Sequence, residues 1–262
     1  MHEIADIACN FTSERFDKDL DKVIDRAITN KITKFGLICS RLSDIDKLLK
    51  IYDKYSKHMF FTIGVHPHHA NEINDQYLKK LKEVVNLNDP DAIGETGLDF
   101  FRNLSTYEEQ INAFEEQIKI AIDTNKPLFL HQRDSHDDFI KILRKYSADF
   151  NKAVVHCFTG TQKQLDDYLE LDCYIGVTGW ICDEKRNVEL RKTIKNIPLS
   201  KLMIETDCPY LIPKNLQEKP KNNRNEPCNL NHIVAEISAL MNIDENILRK
   251  ETFENTKSIF GN

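Results

Sequence analysis

The sequence predicts a (β/α)8 barrel built as one domain over residues 1–262. Three observations lead there. Short apolar runs alternate with segments of helical periodicity along the whole chain, the pattern of parallel strands joined by crossover helices. The count of such runs reaches eight, and 262 residues is the ordinary size of one such barrel. Finally, several runs end in a titratable side chain, as expected where strand tips converge on a functional mouth.

Taken in order, the expected strands are Glu3 to Cys9, Phe35 to Cys39, Phe60 to Val65, Ala92 to Gly97, Leu128 to His131, Ala153 to Cys157, Cys173 to Val177 and Leu202 to Thr206. Each is rich in Ile, Val, Leu or Phe, as befits strands buried on both faces. The stretch from Tyr107 to Thr124 shows the helical counterpart. Ile111, Phe114, Ile118 and Ala121 fall on one side, opposite a charged one. An open doubly wound sheet shows the same alternation, but no Gly-x-Gly-x-x-Gly follows the first strand here and the count favours closure. One stretch is irregular. Pro209 to Asn229 contains Pro213, Pro220 and Pro227 among Lys and Asn residues and reads as a long loop over the barrel mouth.

Composition narrows the classes of function. A net charge of −6 gives no general affinity for polyanions, so a nucleic-acid contact must come from a local basic patch or a bound cation. Seven cysteines with no Cys-x-x-Cys pair read as reduced thiols, and with no leader-like N-terminus and no long apolar stretch the chain is expected to be soluble, free of membrane and cytoplasmic.

The chemistry concentrates at four run ends: Ile-Gly-Glu95, Phe-Leu-His131, Val-Val-His156 and Ile-Glu-Thr-Asp207. A polar side chain there is costly unless something uses it, and two carboxylates with two imidazoles at one mouth suit a metal ion. Each residue alone has a plainer reading. Glu95 could cap the next helix, a single His is more often a hydrogen-bonded core residue, and Asp207 could be an N-cap. Two histidines in the same register on successive strands tip the balance to a shared site. Glycines flanking Glu95 in Ile93-Gly-Glu-Thr-Gly97 permit a close backbone approach. His66, in Gly64-Val-His-Pro-His68, ends a further strand and is a candidate acid, base or phosphate ligand, although His-Pro-His is also an ordinary polar turn.

Together these blocks resemble the TatD family of metal-dependent deoxyribonucleases within the amidohydrolase-like barrels. The matching stretches are Gly-Val-His66-Pro-His68, Ile-Gly-Glu95-Thr-Gly-Leu-Asp99, Leu-His131-Gln-Arg133-Asp134, Val-Val-His156-Cys-Phe-Thr-Gly160, Tyr-Ile-Gly-Val-Thr-Gly179, Glu205-Thr-Asp207-Cys-Pro-Tyr210 and Arg224-Asn-Glu-Pro227, in family order from Asp6 to Phe260. There is one departure. Most members open with Asp-x-His-x-His, whereas this chain has Asp6-Ile-Ala8-Cys-Asn10, similar to the family's namesake branch.

The resemblance implies hydrolysis of phosphodiesters at the 3′ end of single-stranded DNA, with RNA as a second substrate, and a role in DNA repair or nucleic-acid turnover. It implies a divalent metal held by Glu95, His131, His156 and Asp207. Without the two first-motif histidines that set is weighted towards oxygen, which favours Mg²⁺, then Mn²⁺, over Zn²⁺. Glu95, Asp207 and His66 are the expected catalytic residues, Asp207 as general base, with His66 binding the scissile phosphate or protonating the leaving oxygen. His66, Arg133, Arg102 and Arg224 are the expected substrate-binding residues, the arginines holding phosphates bidentately. Trp180, Phe100 and Tyr210 are candidates to stack on a terminal base, although barrel packing would explain each equally well. A monomer is expected. Two other functions fit the same residues: hydrolysis of another ester or amide, such as aminoacyl-tRNA deacylation, and a noncatalytic interaction barrel.

Overall fold

A computed structural model describes residues 2–220 and 222–261. Eight parallel strands lie in sequence order around a nearly closed barrel. Strands and helices alternate as β1 (Ile4–Cys9), α1 (Leu20–Thr29), β2 (Ile32–Leu37), α2 (Ile45–Tyr55), β3 (Met59–Ile63), α3 (Asp75–Asn88), β4 (Ala92–Asp99) and α4 (Tyr107–Thr124). The second half continues with β5 (Leu128–Arg133), α5 (His136–Tyr146), β6 (Ala153–Val155), α6 (Gln162–Glu170), β7 (Tyr174–Val177), α7 (Val188–Thr193) and β8 (Leu202–Ile204). Two helices follow it, α8 (Leu230–Met241) and α9 (Glu245–Phe260).

Helix α4 keeps its expected limits, because Thr106 and Glu109 form a reciprocal capping box that fixes its first turn. The strands differ from expectation in instructive ways. β2 begins earlier and ends earlier than Phe35 to Cys39, its opening masked in the sequence by half-buried Thr33 and Lys34. β4 and β5 run further, since Gly97, Leu98 and Asp99 pair with His131, Gln132 and Arg133. β6 and β8 stop short of His156 and Asp207. The backbone turns into the left-handed region at Cys157 (φ 50°) and Asp207 (φ 53°), a conformation no ladder continues.

Along the short strands, alternate side chains sort into two packed groups, as the two-residue period requires. Met59, Phe61, Leu128, Leu130, Ala153, Val155, Leu202 and Ile204 face the helices. Phe60, Phe129, Val154 and Met203 share a smaller inner core with Ile7, Ala8 and Ala92. Phe260 at the end of α9 plugs the N-terminal end of this inner core, its ring stacked on Phe60 at 4.2 Å and 6.4 Å from Phe129. With that end filled, the opposite mouth is left for chemistry. His131 and His156 continue the inward-facing rows of Phe129 and Val154, which carries both imidazoles to it.

β8 and β1 are not joined by a regular ladder; a single parallel bridge links Cys9 and Cys208. The seam is closed largely by a side chain. Buried Asp6 accepts from Thr206 N through Oδ1 (2.8 Å) and from Thr206 Oγ1 through Oδ2 (2.5 Å), and Asn10 N donates to Cys208 O (2.8 Å). Replacing the carboxylate leaves a buried N–H without an acceptor, a loss of about 1–3 kcal/mol. Asp6→Ala is therefore expected to lower the urea midpoint by that stability while far-UV circular dichroism keeps its native shape, and an unchanged midpoint would show that the seam does not depend on Asp6.

Candidate active site at the barrel mouth

Glu95 is the hub of the mouth. Its Oε1 lies 2.7 Å from His156 Nε2, 2.9 Å from His131 Nδ1 and 3.3 Å from His66 Nε2, and the two strand-borne imidazoles approach each other to 3.4 Å. The glycines on either side make this crowding feasible. A Cβ on Gly94 would sit 2.2 Å from Phe129 O and one on Gly97 would sit 1.9 Å from His131 O, so β5 can approach β4 only where side chains are missing. Both also have positive φ, at 150° and 144°.

Burial opposes ionisation of Glu95, but the His156 and His66 imidazoles and the hydrogen bonds from His131 and His156 outweigh it and hold the carboxyl well below its usual range. The same contacts act on the bases. Burial pushes His156 towards neutrality, yet Glu95 and Glu205 raise it well above an ordinary histidine, and Asp99 with Glu95 raises His131 against burial. His66 behaves differently. Burial dominates there and lowers it to about 4. Its Nδ1 accepts from His68 N (3.1 Å), which leaves the proton on Nε2, facing Glu95. His66, expected to bind the scissile phosphate or protonate the leaving oxygen, thus stands at the mouth with Nε2 turned to Glu95.

Asp207 lines the same cavity of about 1320 Å³, half-buried, with Oδ1 accepting from Asn10 Nδ2 at 2.9 Å. Burial raises its carboxyl to about 7, opposed by His156 and aided by the negative charges of Glu95 and Glu205. The position where a first-motif histidine was expected is thus filled by an amide that holds the aspartate, while Ala8 lies in the inner core.

Three further side chains share the mouth without having been singled out from sequence. Asp99 Oδ2 is 2.7 Å from His68 Nε2 and 3.4 Å from His131 Nε2. Its carboxyl is held low by those histidines and by Arg102 N, against burial. Glu205 is fully buried, with Oε1 accepting from Cys157 N (2.5 Å) and 3.5 Å from His156 Nδ1, while its Oε2 has no partner among the described residues. A signal for all three existed in the spacing. Asp99 follows Glu95 by four residues on one strand, His68 follows His66 by two, and Glu205 continues the inward row of Met203.

The expected substrate arginines separate. Arg133 and Arg102 line the mouth, and the Arg133 guanidinium lies 3.8 Å above the centre of the Phe101 ring, which is 57% exposed. Arg224 does not reach the mouth. It is buried over Phe16, with Nη1 and Nη2 on Asp19 (2.7 and 2.8 Å) and Nη2 on Glu226 (2.6 Å), so its donors are spent on tying the Pro209 to Asn229 loop to the start of α1. Sequence position alone could not separate an arginine aimed at the cavity from one aimed at α1. Phe100 packs against Tyr107 at 5.2 Å, whereas Trp180 and Tyr210 do border the mouth.

An eight-stranded parallel barrel with carboxylates and imidazoles gathered at its C-terminal mouth defines a hydrolase-type barrel with the makings of a metal centre. Among the described residues, His66, Glu95 and His131 present ligand atoms within 4.8 Å of one another. The chain belongs to the TatD related DNase family, which matches residues 5–261. It is 40% identical over 255 residues to the 3′-5′ ssDNA/RNA exonuclease TatD of Pectobacterium atrosepticum, covering 97% of this chain and 98% of that one. The protein of the same name from Edwardsiella piscicida is likewise 40% identical over 255 residues, 97% of this chain and 98% of its own. Among solved structures, a TatD family hydrolase from Entamoeba histolytica superposes with a TM-score of 0.89 at 28% identity, over 99% of this chain and 98% of the other. A TatD homolog from Escherichia coli gives 0.90 at 25%, over 99% and 98%.

The raised carboxyl of Asp207 sets a pH signature. Its folded value of about 7 lies above the ordinary 3.8, so its contribution to stability is complete below that ordinary value and is lost as pH rises through 7. In chelator-treated protein, Asp207→Asn removes that loss and keeps the bond to Asn10. The variant should melt at a higher temperature than wild type at pH 8 and at the same temperature near pH 4; equal melting at both would contradict the assignment.

Proposed function

We propose that this protein is a metal-dependent nuclease that removes nucleotides from the 3′ end of single-stranded DNA, and of RNA. The observation that carries this reading is the Glu95 cluster within a cavity of about 1320 Å³ bordered by arginines and aromatic rings. The names of the relatives support the substrate and direction.

The donor set fits a divalent cation. Glu95, His131 and His156 converge, with His131 Nδ1 and His156 Nε2 both turned to Glu95 Oε1, while His131 Nε2 and His156 Nδ1 face the carboxylates of Asp99 (3.4 Å) and Glu205 (3.5 Å). Such a cluster needs positive charge between its atoms, from protons or from a metal. Glu95, His131, His156 and Asp207 would hold the ion, and the two carboxylates of that set favour Mg²⁺ or Mn²⁺, with Zn²⁺ the alternative. When bound, a divalent ion polarises a phosphate oxygen and lowers the pKa of water into the neutral range.

The remaining work belongs to the side chains. Asp207 is the general base: Oδ1 is engaged by Asn10, and Oδ2 takes the proton from the attacking water, a task matched to a carboxyl at about 7. His66 keeps Glu95 oriented through Nε2, and Asp99 fixes the ring of His131 from behind, as a carboxylate does for a ligating imidazole. Arg133, supported on Phe101, offers its planar donors to a phosphate.

Glu95→Gln should stay folded and lose turnover on a 3′-labelled single strand, whereas wild-type turnover would remove Glu95 from the site. Because Glu95 raises the proton affinity of His131 and His156, adding Mn²⁺ to chelator-treated wild type in weak buffer should release protons, and Glu95→Gln should release few. Arg133→Ala should raise KM with kcat nearly kept, and the reverse split would assign Arg133 to the chemical step.

A further inference from the structure

Five residues, Arg15, Trp180, Arg186, Tyr210 and Leu211, border both the mouth and a separate cavity of about 330 Å³ beside it, which Lys214 completes. None of their side chains is hydrogen-bonded to Glu95, His131 or His156, and Tyr210 N donates to Asp207 O at 2.9 Å. The cavity is held in shape from behind. Arg15 donates from Nη1 to Pro209 O (3.2 Å) and from Nη2 to Asn223 O (2.5 Å), and buried Asn225 donates from Nδ2 to Thr206 O (3.1 Å) and Leu211 O (3.3 Å). Leu211 has a φ of 48°, which a bulky side chain adopts only where the surroundings impose it. The opposite wall comes close because Gly179 has no Cβ; one there would lie 2.6 Å from Leu211 O.

The lining has a recognisable chemistry. Trp180 and half-exposed Tyr210 supply flat aromatic surface, and Arg15, Arg186 and Lys214 supply positive charge. Asp183 is the acid on the wall; its Oδ1 accepts from Lys185 N (3.2 Å) and Arg186 N (3.1 Å) and its Oδ2 lies 4.0 Å from Arg186 Nε, so the lining keeps a net positive charge through Arg15 and Lys214. In a chain of net charge −6, this is the local basic and aromatic patch that a polyanion with stacking bases requires.

We propose that this side cavity is a base-binding subsite for a nucleotide flanking the scissile phosphate, so that the enzyme grips a base beyond the bond it cuts. The proposal rests on the nuclease reading. It predicts that recognition depends on the base itself and not only on phosphates, since stacking on Trp180 or Tyr210 needs a ring.

Trp180 is the only tryptophan in the chain, so tryptophan emission reports on the wall that this cavity shares with the mouth. With Mg²⁺ present, a phosphorothioate-linked tri-thymidylate, which resists cleavage, should change Trp180 emission saturably, and an abasic trimer of the same backbone should not. Tyr210→Ala should weaken trimer binding about 5-fold or more, the effect of losing one stacked base, and bind the abasic trimer like wild type. Arg186→Ala should weaken both. Tight binding of a fluorescein-labelled trimer by anisotropy with unchanged Trp180 emission, or equal emission changes with the abasic trimer, would overturn the subsite and leave the nuclease reading intact. A protein that neither binds nor cuts any oligonucleotide would overturn both.

Discussion

A carboxylate surrounded by three imidazoles governs the architecture of the mouth. Glu95 sits at 2.7 to 3.3 Å from nitrogens of His156, His131 and His66. Without compensation, burying that charge would be prohibitive. With it, His131 and His156 are pulled towards their charged forms, while burial, with the charges of Glu95 and Glu205 added to it, pushes Asp207 towards its neutral one. The opposite shifts in neighbouring groups separate a base with a value near 7 from acids that stay ionised.

The fold serves this arrangement by packing backbones closer than side chains ordinarily allow. Gly94 and Gly97 let β4 lie against β5, and the left-handed turns at Cys157 and Asp207 end two strands where a side chain must face inward. Phe260 fills the far end of the barrel, so the polar groups are confined to one mouth. The seam between β8 and β1 is closed by Asp6 on Thr206, one residue before Asp207, and by Asn10, which touches both Asp207 and Cys208. Closure of the barrel and placement of the candidate base are therefore one structural problem with one local solution.

Recognition surfaces surround the cluster without touching it. Arg133 is pre-set by Phe101 on one side, and Trp180 and Tyr210 stand on the other beside cations in a chain whose overall charge is negative. Arg224 shows the limit of reasoning by residue type. Its Nη1 and Nη2 are engaged by Asp19 and Glu226, and it supports the loop that carries Tyr210.

The sequence by itself determined the alternation of eight strands, the 18 residues of α4 and the apolar rows that bring His131 and His156 to one mouth, because periodicity and capping are local properties. It also displayed the motifs that place the chain in its family. Only the tertiary structure decided that His66 is neutral and turned to Glu95, that Asp99 and Glu205 stand behind the imidazoles, that Asn10 holds Asp207, and that Arg133 borders the cavity while Arg224 does not. These outcomes depend on burial and on partners as many as 209 residues away along the chain, as Arg224 and Arg15 are, and charge state is set by such distant contacts rather than by neighbours in sequence.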